Sequence, residues 1–219
     1  MIAAVIPYAG EPVEILGATL ASVGKHHPDT VALIVVVADG CDLDEESVPH
    51  DGYAEGFHVV RLPERSGCPA AMNAGIRYAA DLGATRIGRC DTADEWTRAM
   101  GDVLESDHPA TFGPSQLGVF DGWSSRIWYD NQFQASCTAF DVSAWEKVGG
   151  YDESLRFADD WDFHAKVHRA VGWTREWTGP VARVDASGIS APGNAEKEAA
   201  RNRDTAIVAK RAQKLRRAS

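Results

Sequence analysis

The chain has 219 residues, of which 44% are hydrophobic and 25% charged, with a formal net charge of -10. That supplies a packed core and argues against general disorder, and no apolar run approaches the roughly 20 residues needed to cross a bilayer. Cys41, Cys68, Cys90 and Cys137 are scattered without a C-x-x-C pair, so neither zinc binding nor a disulfide framework is indicated. Met1–Pro7 is short and uncharged for a signal peptide, and a reducing, cytoplasmic setting is expected. The charge is uneven: residues 196–219 carry +5 and the rest about -15. An acidic body repels polyanions, so any phosphate chemistry here calls for a divalent metal or a few well-placed arginines.

In chain order, Ile2–Pro7 is a short apolar run ended by proline, a buried strand. Val13, Leu16, Leu20 and Val23 recur at the helical period over 12–26, with Pro12 at a tolerated first-turn position. Val31–Ala38 is a continuous β-branched run, the mark of a central parallel strand covered on both faces, and it stops at Asp39-Gly40. Phe57–Leu62 reads as a third strand, Cys68–Leu82 as a helix closed by Gly83, and Thr85–Cys90 as a weaker strand running into Asp91. This alternation predicts a doubly wound α/β sheet over residues 1–95. Residues 96–195 are more mixed. Short extended stretches are expected over 109–140, a helix over 158–171 after the Gly149-Gly150 break, and an extended segment over 173–184; one of two readings of Asp94 makes it the cap of a helix over 95–104. A basic helix over 196–217 ends the chain, with a thin apolar stripe (Ile207, Val208, Ala212, Leu215) that predicts little burial.

In an open α/β sheet, ligands bind beyond the carboxyl ends of the strands. Those ends carry Tyr8, Asp39 and Asp91, which predicts one crevice lined by an aromatic and two carboxylates.

Five stretches in order resemble the GT-A fold glycosyltransferases of family 2: VIPYAGEPVEILGATLASV, IVVVADGCD, RSGCPAAMNAGIRYA, RCDTADEW and VGGYDESLRFADDWDFHAKV. The resemblance spans about residues 2–190. It implies an α/β fold with a mostly parallel central sheet flanked by helices and a mixed acceptor-side half, followed by the C-terminal helix. It also implies a single domain over 1–195, with a nucleotide-binding half (1–95) and an acceptor half (96–195). The implied activity is inverting transfer of a sugar from a nucleotide-diphosphate sugar, UDP by default, to an acceptor hydroxyl. The acceptor stays open among a glycan, a protein, a lipid-linked sugar and a modified nucleic acid. A non-catalytic nucleotide-sugar-binding module and a nucleotidyltransferase remain alternatives.

By the same resemblance, Asp160 is the general base, because attack at the anomeric carbon needs a carboxylate to take the acceptor proton. The donor nucleotide falls to Pro7, Tyr8, Asp39, Arg65, Asn73 and Asp91, with Tyr8 either stacking on the base or lying in the core. A divalent metal, Mn²⁺ or Mg²⁺, is expected at the Asp91-Thr92-Ala93-Asp94 turn. Ala93 stands where the family carries a main ligand, so Asp94 and Asp185 are the substitutes. Asp159, Trp128 and Trp161 are candidate acceptor or sugar contacts, with Trp123 and Trp177 in the same aromatic set. His164 and His168, at i, i+4, read as surface residues. The basic tail is read as a solvated helix, an anionic-surface contact or an oligomer contact.

Overall fold

The computed structural model describes residues 1–49, 57–116, 123–131, 134–176, 179–184 and 195–218. Strand β1 (Ile2–Tyr8) leads through α1 (Val13–His26) to β2 (Val31–Asp39). β3 (His58–Leu62), α2 (Cys68–Asp81) and β4 (Arg86–Arg89) complete the parallel half. Then follow β5 (Glu95–Trp96), α3 (Met100–Leu104), β6 (Ala110–Phe112) and α4 (Trp123–Arg126). β7 (Thr138–Asp141), α5 (Val142–Val148), α6 (Asp159–Ala170), β8 (Thr174–Arg175), β9 (Ala182–Arg183) and α7 (Ala195–Arg217) close the chain.

Among the described residues the main sheet runs β3-β2-β1-β4-β7-β6-β8. β1 to β4 are parallel, β7 runs antiparallel to both neighbours, and β5 pairs with β9 in a separate two-stranded ribbon. Alternate residues of the central strands feed two cores. Ala3, Val5, Val35 and Val37 pack beneath α2, α6 and α7, while Ala4, Ile6, Val36 and Ala38 pack beneath α1 and α3. That is why the β2 run is apolar throughout rather than alternating. Gly75 lets α2 lie close on the sheet, since a Cβ there would come within 2.6 Å of Val5 and 2.7 Å of Val37.

Two expectations change. The 95–104 helix with Asp94 as its cap is a strand and a shorter helix: the Trp96 backbone N–H is taken by Ser22 Oγ at 3.0 Å, and Glu95–Trp96 pairs with Ala182–Arg183. Within the extended 173–184 segment, Thr174–Arg175 and Ala182–Arg183 are the ladder residues among those described, in two separate pairings, and Trp177 lies outside the described residues. The terminal helix is docked rather than merely solvated. Val208 and Ala212 are buried against the core, and Asp204, 1% exposed, accepts the backbone N–H groups of Arg156 (2.9 Å) and Phe157 (3.1 Å).

Candidate active site

The residues expected to line the site lie where β1, β2 and β4 end. Asp39 sits at the end of β2, and both its carboxylate oxygens are in use: Oδ1 accepts the Ser66 N–H at 2.6 Å and Oδ2 the Gly67 N–H at 2.9 Å. The residue is 3% exposed. Asp39 therefore shapes the loop into α2, and the Ser66 and Gly67 amides that a phosphate would use are already spoken for. Arg65, in that loop, is exposed. Tyr8 is buried, 3% exposed, with its hydroxyl donating to the Glu11 carbonyl at 2.6 Å. Its ring belongs to the core under α1, which corrects the stacking expectation. Pro7 offers its carbonyl to Thr92 Oγ1 at 2.7 Å and so ties β1 to the β4 turn.

Asp91 follows β4 and is partly exposed. Arg89, two residues earlier on the same strand face, grips it with two bonds: Nε to Oδ1 at 2.7 Å and Nη2 to Oδ2 at 3.0 Å. Arg89 is 4% exposed. Its Nη1 lies 3.6 Å from Asp159 Oδ2, its Nη2 3.2 Å from Cys68 Sγ, and its guanidinium 5.5 Å from the Tyr151 ring centre. Burial works against that charge, but Asp91 and the other neighbours outweigh it and raise the Arg89 pKa. This one cation brings together the end of β4, the start of α2 and the start of α6. Cys68 follows directly on the loop that Asp39 holds, so a chain of contacts runs from Asp39 through that loop and Arg89 to Asp91 and Asp159.

Asp159 and Asp160 open α6, where first-turn acids complement the helix dipole. Burial pushes Asp159 up; Arg89 opposes this, while Asp160 and Asp91 add to it. Burial also raises Asp160, against Arg89 and the Trp161 N–H, which donates to Oδ1 at 2.8 Å. Asn131 Nδ2 donates to Asp160 Oδ2 at 2.7 Å. A carboxylate whose pKa is raised and which is still partly exposed is a stronger proton acceptor than an ordinary one.

Other expected residues serve the scaffold. Asn73 is 3% exposed. Its amide donates to the Tyr151 carbonyl (2.9 Å) and Glu153 (2.8 Å) and accepts from the Tyr151 N–H (2.9 Å) and Trp145 Nε1 (3.0 Å). With all four partners filled, Asn73 brackets α2 to the Gly149-Gly150 turn and has none left for a nucleotide. A Cβ on Gly150 would stand 2.7 Å from Asn73 Oδ1, which explains the glycine. Trp161 is 3% exposed with Nε1 bonded to the Ile127 carbonyl at 2.6 Å, and Trp128 is 8% exposed. Both are core residues rather than sugar platforms. The Trp123 side chain lies outside the described residues. His164 is fully buried, not on the surface.

The described residues do not assemble the expected metal centre. Ala93 offers no ligand, and Asp94 is 6% exposed and bonded inward to Ser136 Oγ. Asp91 is already gripped by Arg89, and Asp185 lies outside the described residues. No group of three or more His, Cys, Asp or Glu able to hold a cation occurs among the described residues. Arg89, Asn131 and His164 carry the site's geometry; neither Arg89 nor Asn131 stood out in the sequence, and His164 did so only as a surface residue paired with His168. Of the first two, only Arg89 left a trace, its i, i+2 spacing to Asp91 on a strand.

Residues 3–91 match the family model for Glycosyl transferase family 2. No curated protein matches by sequence. Among solved structures, S. aureus TarS 1–349 in complex with UDP-GlcNAc is similar with a TM-score of 0.68 at 14% identity, over 88% of this chain and 61% of that one. A second structure of TarS 1–349 gives 0.65 at 14% identity, over 85% and 60%. The mannosyltransferase PcManGT from Pyrobaculum calidifontis, in complex with GDP-Man and Mn2+, gives 0.56 at 19% identity, over 82% and 54%. The chain thus spans about three fifths of the TarS 1–349 length. The fold is that of the GT-A glycosyltransferases. Its parallel half is the part that matches the family 2 model.

Proposed function

We propose that this chain transfers a sugar from a nucleoside-diphosphate sugar to an acceptor hydroxyl, with inversion, and that Asp160 is the general base. The observation that supports this best is the meeting of Asp91, at the end of β4, with the acid pair of α6 about the buried Arg89. The donor occupies the crevice beyond β1, β2 and β4, with its diphosphate toward the Asp91 turn. UDP is the default base, in keeping with the UDP-GlcNAc complex of TarS. The acceptor oxygen attacks the anomeric carbon from the α6 side while Asp160 takes its proton. The bond from that carbon to the bridging phosphate oxygen breaks, and the nucleoside diphosphate leaves. One displacement inverts the anomeric centre, and the carboxylates near the carbon favour its oxocarbenium character. Arg89 keeps three acids tolerable in one seam. No step is assigned to a metal.

Calorimetry with UDP- and GDP-sugars, with and without Mn²⁺, followed by assay of nucleoside-diphosphate release, tests the reading. Asp160→Asn is expected to lower turnover about 100- to 10,000-fold while leaving donor affinity unchanged. Unchanged turnover removes Asp160 from the mechanism.

A further inference from the structure

Asp160 is fixed by more than its own helix. Oδ1 accepts the Trp161 N–H at 2.8 Å, and Oδ2 accepts Asn131 Nδ2 at 2.7 Å. One bond on each oxygen sets the plane of the carboxylate and leaves the remaining lone pairs for a hydroxyl. The carboxylate only accepts, so the Asn131 amide must turn its NH₂ toward it. Asn131 Oδ1 then faces His164 Nδ1 at 3.1 Å. Two acceptors cannot pair, so His164 carries its proton on Nδ1. Burial, and secondly Arg89, hold the His164 pKa well below its ordinary value, which keeps the ring neutral. Its orientation is set by Trp173, edge-on at 5.3 Å, whose Nε1 donates to the His164 carbonyl at 2.9 Å.

We infer that Asn131 and His164 form a positioning relay for Asp160, the buried Nδ1–H of His164 locking the Asn131 amide so that the amide aims and partly stabilises the base. The inference rests on the reading of Asp160 as base. An amide suits this role: it stabilises the anion less than a cation does and so leaves the carboxylate basic. Among the described residues, the charged and titratable groups that face Asp160 are Arg89 at the end of β4, Asp91 just after it, Asp159 on α6, and the Cys68 thiol of α2, which burial keeps protonated. The test leaves all of these in place.

The experiment is the pH profile of nucleoside-diphosphate release from the best-bound donor, in the full chain and in Asn131→Ser, His164→Leu and His164→Gln. Loss of a hydrogen bond to the charged form raises a carboxylate's pKa. Asn131→Ser and His164→Leu should therefore lower kcat about tenfold or more and move the acid limb to higher pH, with donor KM unchanged. His164→Gln keeps a donor toward Asn131 and should recover most of the rate. An acid limb unmoved in Asn131→Ser overturns the relay. A wild type that turns over no donor overturns the base assignment instead. Nitrogen NMR of the wild-type side chain tests the relay without activity or folded variants: a neutral His164 protonated at Nδ1 is expected, and protonation at Nε2 overturns the relay.

Discussion

The two halves of the molecule hold their acids in different ways. In the parallel half the partners are backbone amides or near neighbours: Asp39 takes the amides of Ser66 and Gly67, and Asp91 takes the guanidinium two residues before it. In the second half the acids are held across elements distant in sequence, by side chains or, for Asp204, by backbone amides. Asn131 holds Asp160, Asp204 holds the 156–157 backbone, and Arg211 reaches both Asp152 and Asp162. The first half is therefore a scaffold whose polar contacts follow from its secondary structure. The second is a site assembled by tertiary contacts and depends on α7 staying docked.

Arg89 is where the halves meet, and replacing it should have the largest effect. Arg89→Leu leaves Asp91 and Asp159 facing each other without a counter-charge in a buried seam. Removing one partner of a buried pair typically costs about 3–5 kcal/mol. A large fall in melting temperature at pH 8, partly relieved at pH 5 as the acids protonate, is expected by calorimetry. A loss of equal size at both pH values would show that Arg89 matters for packing rather than charge.

A smaller effect is expected from α7. Ala158 enters α6 with φ of +56°, a left-handed conformation that side chains other than glycine resist. The Asp204 carboxylate holds the two backbone amides just before it. Burial opposes the Asp204 charge, but bonds from Arg203, Arg156 and Phe157 keep its pKa below the ordinary value. Asp204→Ala strands both amides in a buried setting and should cost about 2–3 kcal/mol, loosening the start of α6. Donor turnover should fall with it although Asp204 is remote from the seam. Wild-type stability in the variant would mean that α7 rests on the domain without bracing it.

The same contrast explains what could be read in the residues alone. β1, α1, β2 and α2 follow from periodic apolar patterns, and strand-end carboxylates follow from the rule for open α/β sheets. The role of Asp39 as a loop clamp was not legible, because a turn amide leaves no signature in sequence. Tyr8 was legible as core only as one of two readings, and Asn73 and Trp161 were not legible as scaffold, since the same side chains serve ligand or core according to partners 70 or more residues away for Asn73 and 34 for Trp161. The Glu95–Leu104 segment has helical periodicity, and pairing with β9 overrides it at the start. His164 looked like a surface histidine because an i, i+4 pair carries no information about which face α6 buries.

The smallest effect is the most diagnostic of the seam's electrostatics. Burial raises the folded-state pKa of Asp159 above its unfolded value, so its favourable contribution is full below the ordinary carboxylate range and lost as pH rises through the raised value. Above that value the folded chain carries an ionised, 9%-exposed carboxylate beside Asp160 and Asp91. Asp159→Asn removes this charge and leaves the two bonds between Arg89 and Asp91 intact. It should stabilise the fold by about 1 kcal/mol at pH 8, the worth of roughly one pH unit of differential protonation, and by almost nothing at pH 4, where the wild-type group is already neutral. Thermal melts of the two proteins across that range measure the difference. A gain that does not change with pH would place Asp159 outside the coupled set, and a loss at pH 8 would mean that its attraction to Arg89 at 3.6 Å outweighs the cost of burying it. In either case the second half would hold its acids for stability, as the first half does, rather than hold one of them in reserve for chemistry.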